Sequence, residues 1–169
     1  MRLIFMLSVV LFTGFTVPAT AASPTDAELA RVVAYTTFLE SHPFDDKAPA
    51  MRAWLLDWED KRKDIIDVVC AEVLAPIPSN DVAYSGELLA QFIFGSAANQ
   101  LTNPKEKGKL VPNQLAGMRS LLKAYATILQ SKPNARNPRF DELSRQEANG
   151  TLESFLTPVI TASCKGPYS

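Results

Sequence analysis

Residues 112–131 contain a seam of apolar residues that limits the chain to few classes of fold. The seam consists of Leu115, Met118, Leu122, Tyr125 and Leu129, at steps of three, four, three and four residues. This spacing places the side chains on one face of an α-helix, as in the contact between helices of a bundle. The chain contains no alternating β-branched and aromatic run bounded by hairpin turns, so strands are not expected. The sequence therefore predicts an all-α fold.

Apolar periodicity interrupted by Pro, Gly and Asn indicates further helices in the rest of the chain. The first begins at Thr25, where Glu28 three residues later completes a capping-box pattern, and ends at His42-Pro43. Others are expected over residues 84–101, 138–148 and 151–164, the last being kinked or shortened by Pro158. The total is six to seven helices, which we expect to form a single-domain helical bundle.

The segment from residue 47 to residue 74 allows one long helix or two. Its apolar residues in helical phase are Met51, Trp54, Leu55, Trp58, Ile65, Ile66, Val69, Val73 and Leu74. The polar stretch 59–64 interrupts this run and favours a break or bend near Lys61.

The first 21 residues have the pattern of a cleavable signal peptide. Met1-Arg2 is a short basic start, residues 3–17 are uncharged and mainly apolar, and Ala19 and Ala21 provide a small-x-small cleavage site. The alternative is an uncleaved anchor, but the apolar run is shorter than the ~20 residues that span a bilayer. We therefore expect a periplasmic or secreted protein with a helical domain over 22–164, a disordered tail over 165–169 and no transmembrane segment after cleavage.

The chain contains two cysteines, Cys70 and Cys164. Export to an oxidising compartment favours a disulfide between them, and two unpaired buried thiols are the alternative. The bond would attach the last helix to the segment that ends at Leu74.

Familiar catalytic and ligand-binding patterns are missing from the sequence. The single histidine, His42, precedes a proline at a predicted helix end, and no serine elbow accompanies it. One histidine and two distant cysteines do not make a zinc site, and no calcium loop or glycine-rich phosphate loop is present. The formal net charge of −1 provides no basic surface for nucleic acid. We therefore predict no catalytic residues, no cofactor, no metal and no nucleic-acid partner.

Two pairs of residues are weak binding candidates. Glu87 and Gln91 form a polar stripe on the otherwise apolar helix 84–101, which would line a small pocket or, as the favoured interpretation, be a solvated edge. Trp54 and Trp58 form an aromatic ridge, which would be an exposed binding surface or, as the favoured interpretation, part of the core.

These observations predict an exported, non-enzymatic binding protein whose partner is an unidentified protein or envelope component. The first alternative is a carrier that holds a small apolar ligand between the central helix and the helix 112–131. The second is a carboxylate-dependent hydrolase acting on envelope material, which requires two acidic side chains about 5–10 Å apart in one cleft.

Overall fold

The structure is a computed structural model that describes residues 25–165. The predicted signal peptide, including Ala19 and Ala21, and the tail residues 166–169 lie outside the described residues. The described part contains seven α-helices and no strand: α1 Asp26–Ser41, α2 Ala48–Asp60, α3 Ala71–Leu74, α4 Ser85–Thr102, α5 Leu110–Ser131, α6 Pro138–Ala148 and α7 Leu152–Ser163. Short 3₁₀ turns occur at Pro104–Glu106 and Pro133–Ala135. The all-α prediction is confirmed.

The longest helix, α5, buries the predicted seam. Leu115, Met118, Leu122 and Tyr125 are buried, and Leu129 is partly buried against the same core. The helix begins at Leu110, two residues before the predicted start.

Helix α4 lies between two apolar clusters. Phe92 belongs to a cluster shared with α3, α5, α6 and α7, whereas Phe94 belongs to a cluster shared with α1 and α2. A helix that faces core on both sides must be apolar on most faces, which is the pattern found over 84–101. Close approach to α5 depends on Gly95 and Gly117, because a Cβ at Gly95 would lie 2.4 Å from the Cβ of Ser120.

The ends of the first and last helices follow local sequence signals to different degrees. The backbone N–H of Glu28 donates to the Thr25 hydroxyl, and the backbone N–H of Thr25 donates to the Glu28 carboxylate. These two hydrogen bonds confirm the capping box at the start of α1. The sequence predicted that Pro158 kinks or shortens the last helix. Helix α7 continues through Pro158 to Ser163, so the proline does not shorten it. Pro158 is exposed, and water can therefore replace the backbone hydrogen bond that the proline removes.

Residues 61–70 correct the prediction for the second helical segment. Helix α2 ends at Asp60, which confirms the break near Lys61. The apolar residues beyond it do not continue in helical phase, and helix resumes only over the four residues of α3. In place of helical hydrogen bonds, Ile66 donates its N–H to Oε1 of Gln100 at 3.2 Å, and its carbonyl accepts from Nε2 of Gln100 at 2.9 Å.

A second buried glutamine fastens the same segment to α5, because Nε2 of Gln114 donates to the Val68 carbonyl. Both glutamine side chains belong to residues that are almost completely buried. The tertiary structure therefore supplies the backbone partners that a helix would have provided internally.

The predicted disulfide between Cys70 and Cys164 is confirmed, with a Cα–Cα distance of 5.4 Å. It attaches the end of the 61–70 segment to the residue that follows α7, and α3 packs against α7 beside it. The two cysteines are 94 positions apart in the sequence. In the chain-entropy model, closing a loop of that length raises the free energy of the unfolded chain by about 4–5 kcal/mol. Within residues 25–165, none of the helices combines the length and apolarity needed to cross a bilayer.

Candidate functional site

Trp54 and Trp58 lie one turn apart on α2 and contribute both to the core and to a concave surface. Trp58 is 6% exposed, and Trp54 is partly buried against the same apolar cluster. Core packing, the favoured interpretation, therefore accounts for most of the Trp58 side chain. Both residues also line an open concavity of about 410 Å³.

We call this concavity the tryptophan groove. It lies between the start of α1, the second half of α2 and the beginning of the 61–70 segment. Its lining residues are Glu28, Trp54, Asp57, Trp58, Lys61, Arg62 and Asp64. The groove thus combines two indole rings with charged side chains of both signs.

Cationic and aromatic neighbours hold the two indoles in place. The Arg31 guanidinium lies 5.2 Å from the centre of the Trp54 ring, and Tyr35 meets the same ring edge-on at 5.3 Å. The Arg62 guanidinium lies 5.6 Å from the centre of the Trp58 ring. Cation–π and edge-to-face contacts of this kind favour one orientation of each indole ring.

An ion-pair network is centred on Asp64, one of the residues that line the groove. Asp64 accepts hydrogen bonds from Arg62 at 2.8 and 2.9 Å and from Lys107 at 2.8 Å. The hydrogen bond from Arg62 is the largest cause of the lowering of the Asp64 pKa to about 2. The carboxylate therefore stays ionised and cannot serve as a general acid near neutral pH. Beside it, the indole N–H of Trp58 is buried without a hydrogen-bond partner among the described residues.

Gln91 does not form a solvated edge, because it is 3% exposed. Its Nε2 donates to the Thr36 carbonyl at 3.1 Å and to Oγ of Ser120 at 2.8 Å. Ser120 in turn donates to the Glu40 carboxylate at 2.6 Å, so the chain of hydrogen bonds joins α4 to α1 and α5. The solvated-edge interpretation is wrong for Gln91, since a buried amide needs partners and finds them on two neighbouring helices. Glu87 is half-buried in the first turn of α4.

A carboxyl pair that the sequence did not reveal lies outside the groove lining. Glu59, near the end of α2, shares a hydrogen bond with Asp67 of the 61–70 segment. Burial, followed by the contact with Asp67, raises the pKa of Glu59 to about 9. Burial also raises the pKa of Asp67, against the hydrogen bonds from Glu59 and Ser96. Each carboxyl has one oxygen, Oε1 of Glu59 and Oδ1 of Asp67, buried without a partner among the described residues.

These positions bear on the two alternative functions. Glu59 has the raised pKa of a general acid, yet it does not line the tryptophan groove, whose acidic residues are Glu28, Asp57 and Asp64. Helices α4 and α5 approach closely at Gly117, where a Cβ would lie 2.7 Å from the Phe92 carbonyl oxygen. Elsewhere along the same pair of helices, residues of α4 and α5 line an open concavity of about 380 Å³ together with residues of α1.

Comparison of the chain with protein-family models, curated proteins and solved structures found no match. The described residues hold no group of three or more His, Cys, Asp or Glu side chains arranged to bind a metal ion. Sequence reasoning found the two tryptophans but missed Arg31 and Tyr35, whose spacing of four residues was the available signal. The sequence carries no signal for the pairing of Glu59 with Asp67, which depends on the path of the non-helical segment.

Proposed function

We propose that this chain is an exported, non-enzymatic binding protein of the cell envelope that docks a protein partner through the tryptophan groove. The observation that carries the proposal is the cluster of Arg31, Tyr35 and Trp54 beside the open groove. Trp, Tyr and Arg are the residue types that contribute most of the binding energy at protein interfaces. Here they are already ordered, which lowers the entropy lost on binding.

The charges around the groove favour a polypeptide over an apolar or a polyanionic ligand. Glu28 and Asp57 contribute negative charge to the lining, and Lys61 contributes positive charge. Lys61 pairs with Asp57 at 2.6 Å in an exposed position, where the ion pair exchanges readily with charges on a partner. A polar rim of mixed sign around aromatic anchors is the usual anatomy of a protein interface.

Export is supported by two observations. The first 21 residues have the order of a secretory signal, ending in Ala19-Thr20-Ala21. The disulfide Cys70–Cys164 belongs to the class of bond that persists in oxidising compartments. N-terminal sequencing of the exported protein is expected to give Ala22 as the first residue, and an intact Met1 would contradict cleavage.

The binding proposal is tested by capture from an envelope extract with the full chain and two variants. Trp54→Ala removes the central ring of the cluster. Phe155→Ala is the matched control, because Phe155 is 37% exposed on α7 and also lies under a guanidinium, that of Arg139 at 5.4 Å. We expect the captured protein to bind Trp54→Ala about tenfold or more weakly in a titration, and Phe155→Ala with unchanged affinity.

Equal affinity of the captured protein for both variants and the native chain would overturn the groove assignment. Circular dichroism and thermal unfolding of each variant separate a lost contact from a lost fold. Turnover of an envelope polymer that is abolished by a single Asp or Glu substitution would overturn the non-enzymatic part of the proposal.

A further inference from the structure

A second concave surface lies beside the C-terminal end of α5. One hollow of about 360 Å³ is lined by the loop after α1, including Phe44 and Asp45, and by Thr127, Gln130 and Ser131 of α5. The lining of a second hollow, of about 320 Å³, includes Tyr84, Ser131, Lys132 and Asn134. The two hollows share Ser131, so they adjoin one another on the surface.

Two aromatic rings connect these hollows. Phe44, in the loop between α1 and α2, is 41% exposed. Its ring centre lies 4.9 Å from that of Tyr84, at an interplanar angle of 58°. Since Phe44 lines one hollow and Tyr84 lines the other, we call the combined feature the Phe44–Tyr84 surface.

The backbone of Tyr84 is strained. It has φ 61° and ψ 29°, and it is the one non-glycine residue with positive φ among residues 25–165. A bulky residue in the left-handed region is an outlier that persists only where the surroundings hold it. Nothing in the capping of α4 accounts for the tyrosine, whose side chain makes no cap hydrogen bond. The conformation does place an aromatic ring between the hollows.

Uncharged hydrogen-bonding groups surround the rings. Gln130 and Asn134 are exposed, and neither makes a side-chain hydrogen bond or ion pair among the described residues. The hydroxyls of Thr127 and Ser131 donate to helix carbonyls at 3.2 and 3.3 Å, which leaves their oxygen lone pairs available as acceptors. Charge is nearly balanced, because one hollow contains Asp45 and the other Lys132.

We propose that the Phe44–Tyr84 surface binds a neutral oligosaccharide. Aromatic rings stack against the C–H faces of sugars, while amides and hydroxyls on either side exchange hydrogen bonds with sugar hydroxyls. Two adjoining hollows on either side of a ring pair suit consecutive sugar units of a chain. This assignment is independent of the tryptophan groove and of the partner proposed for it.

Other ligand chemistries fit this surface less well. A polyanion would need a cluster of cations, and Lys132 is the one lysine or arginine in the two linings. A peptide added as a strand would need an unpaired sheet edge, and residues 25–165 contain no strand. A purely apolar ligand would strip water from the amides of Gln130 and Asn134 without replacing their hydrogen bonds.

The test is a titration of the full chain with linear hexasaccharides of glucose, N-acetylglucosamine and mannose. Isothermal calorimetry measures the affinity, and amide NMR locates the bound sugar. We expect at least one hexasaccharide to bind and to shift the amide signals of residues 127–135. Phe44→Ala is expected to weaken that binding about tenfold or more. Phe155→Ala, which truncates a similarly exposed ring on α7, and Trp54→Ala, in the tryptophan groove, are expected to bind the sugar as the native chain does.

Three results would overturn the assignment. The first is the absence of binding by all three sugars at about 1 mM. The second is sugar binding that Phe44→Ala leaves unchanged, which would place the sugar elsewhere. The third is tighter binding of a proline-rich decapeptide that Phe44→Ala abolishes, which would make the surface a peptide site. The second result includes the case in which Trp54→Ala alone loses sugar binding, which would place the sugar in the tryptophan groove. Because the two proposals are tested with different ligands and different variants, the failure of one is distinguishable from the failure of the other.

Discussion

Replacing Glu59 by glutamine is expected to remove a pH dependence of folding stability that the carboxyl pair creates. Glu59 keeps its proton in the folded protein, because burial and the adjacent Asp67 raise its pKa to about 9. Glutamine retains an N–H donor for the Asp67 carboxylate but has no proton to lose. The variant therefore keeps a hydrogen bond to Asp67 and removes the ionisation of residue 59.

The magnitude follows from proton linkage. The unfolded chain releases the Glu59 proton above its ordinary pKa of 4.5, whereas the folded protein retains it up to about pH 9. The stabilisation of the folded state by the protonated Glu59 is fully present below pH 4.5 and is lost as the pH rises toward 9. One proton corresponds to about 1.4 kcal/mol per pH unit, or about 2.7 kcal/mol between about pH 6 and pH 8. Solvent reaches part of this half-buried pair, so we expect about 1–2 kcal/mol over that interval.

The assay is urea unfolding of the native chain and of Glu59→Gln at pH 6, 7 and 8, followed by tryptophan fluorescence. Trp58 precedes Glu59 on α2 and is buried, so its emission reports loss of the surrounding structure. Glu87→Gln, the same change at a half-buried glutamate outside the pair, is the control. The free energy of unfolding of the native chain and of the control should fall with pH, and that of Glu59→Gln should fall by about 1–2 kcal/mol less.

Parallel pH profiles for the native chain and Glu59→Gln would refute the reasoning. That result would mean that the pKa of Glu59 in the folded protein is close to its ordinary value of 4.5. A variant whose unfolding free energy drops equally at all three pH values would show that the amide disturbs packing without any change in proton binding.

Two further substitutions, one of them with a matched control, test how the helices and the 61–70 segment are held. Gly95→Ala is expected to destabilise the protein by about 1–3 kcal/mol, because the new Cβ would lie 2.4 Å from that of Ser120. Gly86→Ala on the same helix meets no atom within 4 Å, so it should be neutral or stabilising in thermal unfolding, and equal losses would contradict the packing argument. Gln100→Leu removes both side-chain hydrogen bonds to Ile66 and should speed amide exchange at Ile66 about tenfold or more, since an unmet buried backbone group costs about 1–3 kcal/mol. Unchanged exchange at Ile66 would show that the two hydrogen bonds from Gln100 do not hold this part of the segment in place.

Most of the helical framework was predictable because its signals are local. The capping box at Thr25 and Glu28, the seam on α5 and the apolar faces of α4 each depend on neighbouring residues. The pairing of Cys70 with Cys164 was predictable because two cysteines permit one connectivity. Prediction failed over residues 65–69, whose helical spacing is overridden by the side chains of Gln100 and Gln114.

The candidate sites divide in the same way. Trp54 and Trp58 are visible as a pair in the sequence, because one helical turn separates them. Their arginine and tyrosine neighbours come from α1 and from the residues after α2, so the groove exists only once these elements pack. Gln91 shows the opposite case, in which a polar residue expected at the surface is buried by two neighbouring helices.

Periodicity, capping and residue counts can be read directly from the chain, so the helices, the cysteine pairing and the export-signal pattern follow from the sequence. Packing between separate elements fixes the path of residues 61–70, the carboxyl pair of Glu59 and Asp67, and the contact of Phe44 with Tyr84. Each of these joins residues from separate elements. Their contacts depend on the distance between buried side chains of segments that are far apart in the sequence. Local sequence patterns do not encode that distance.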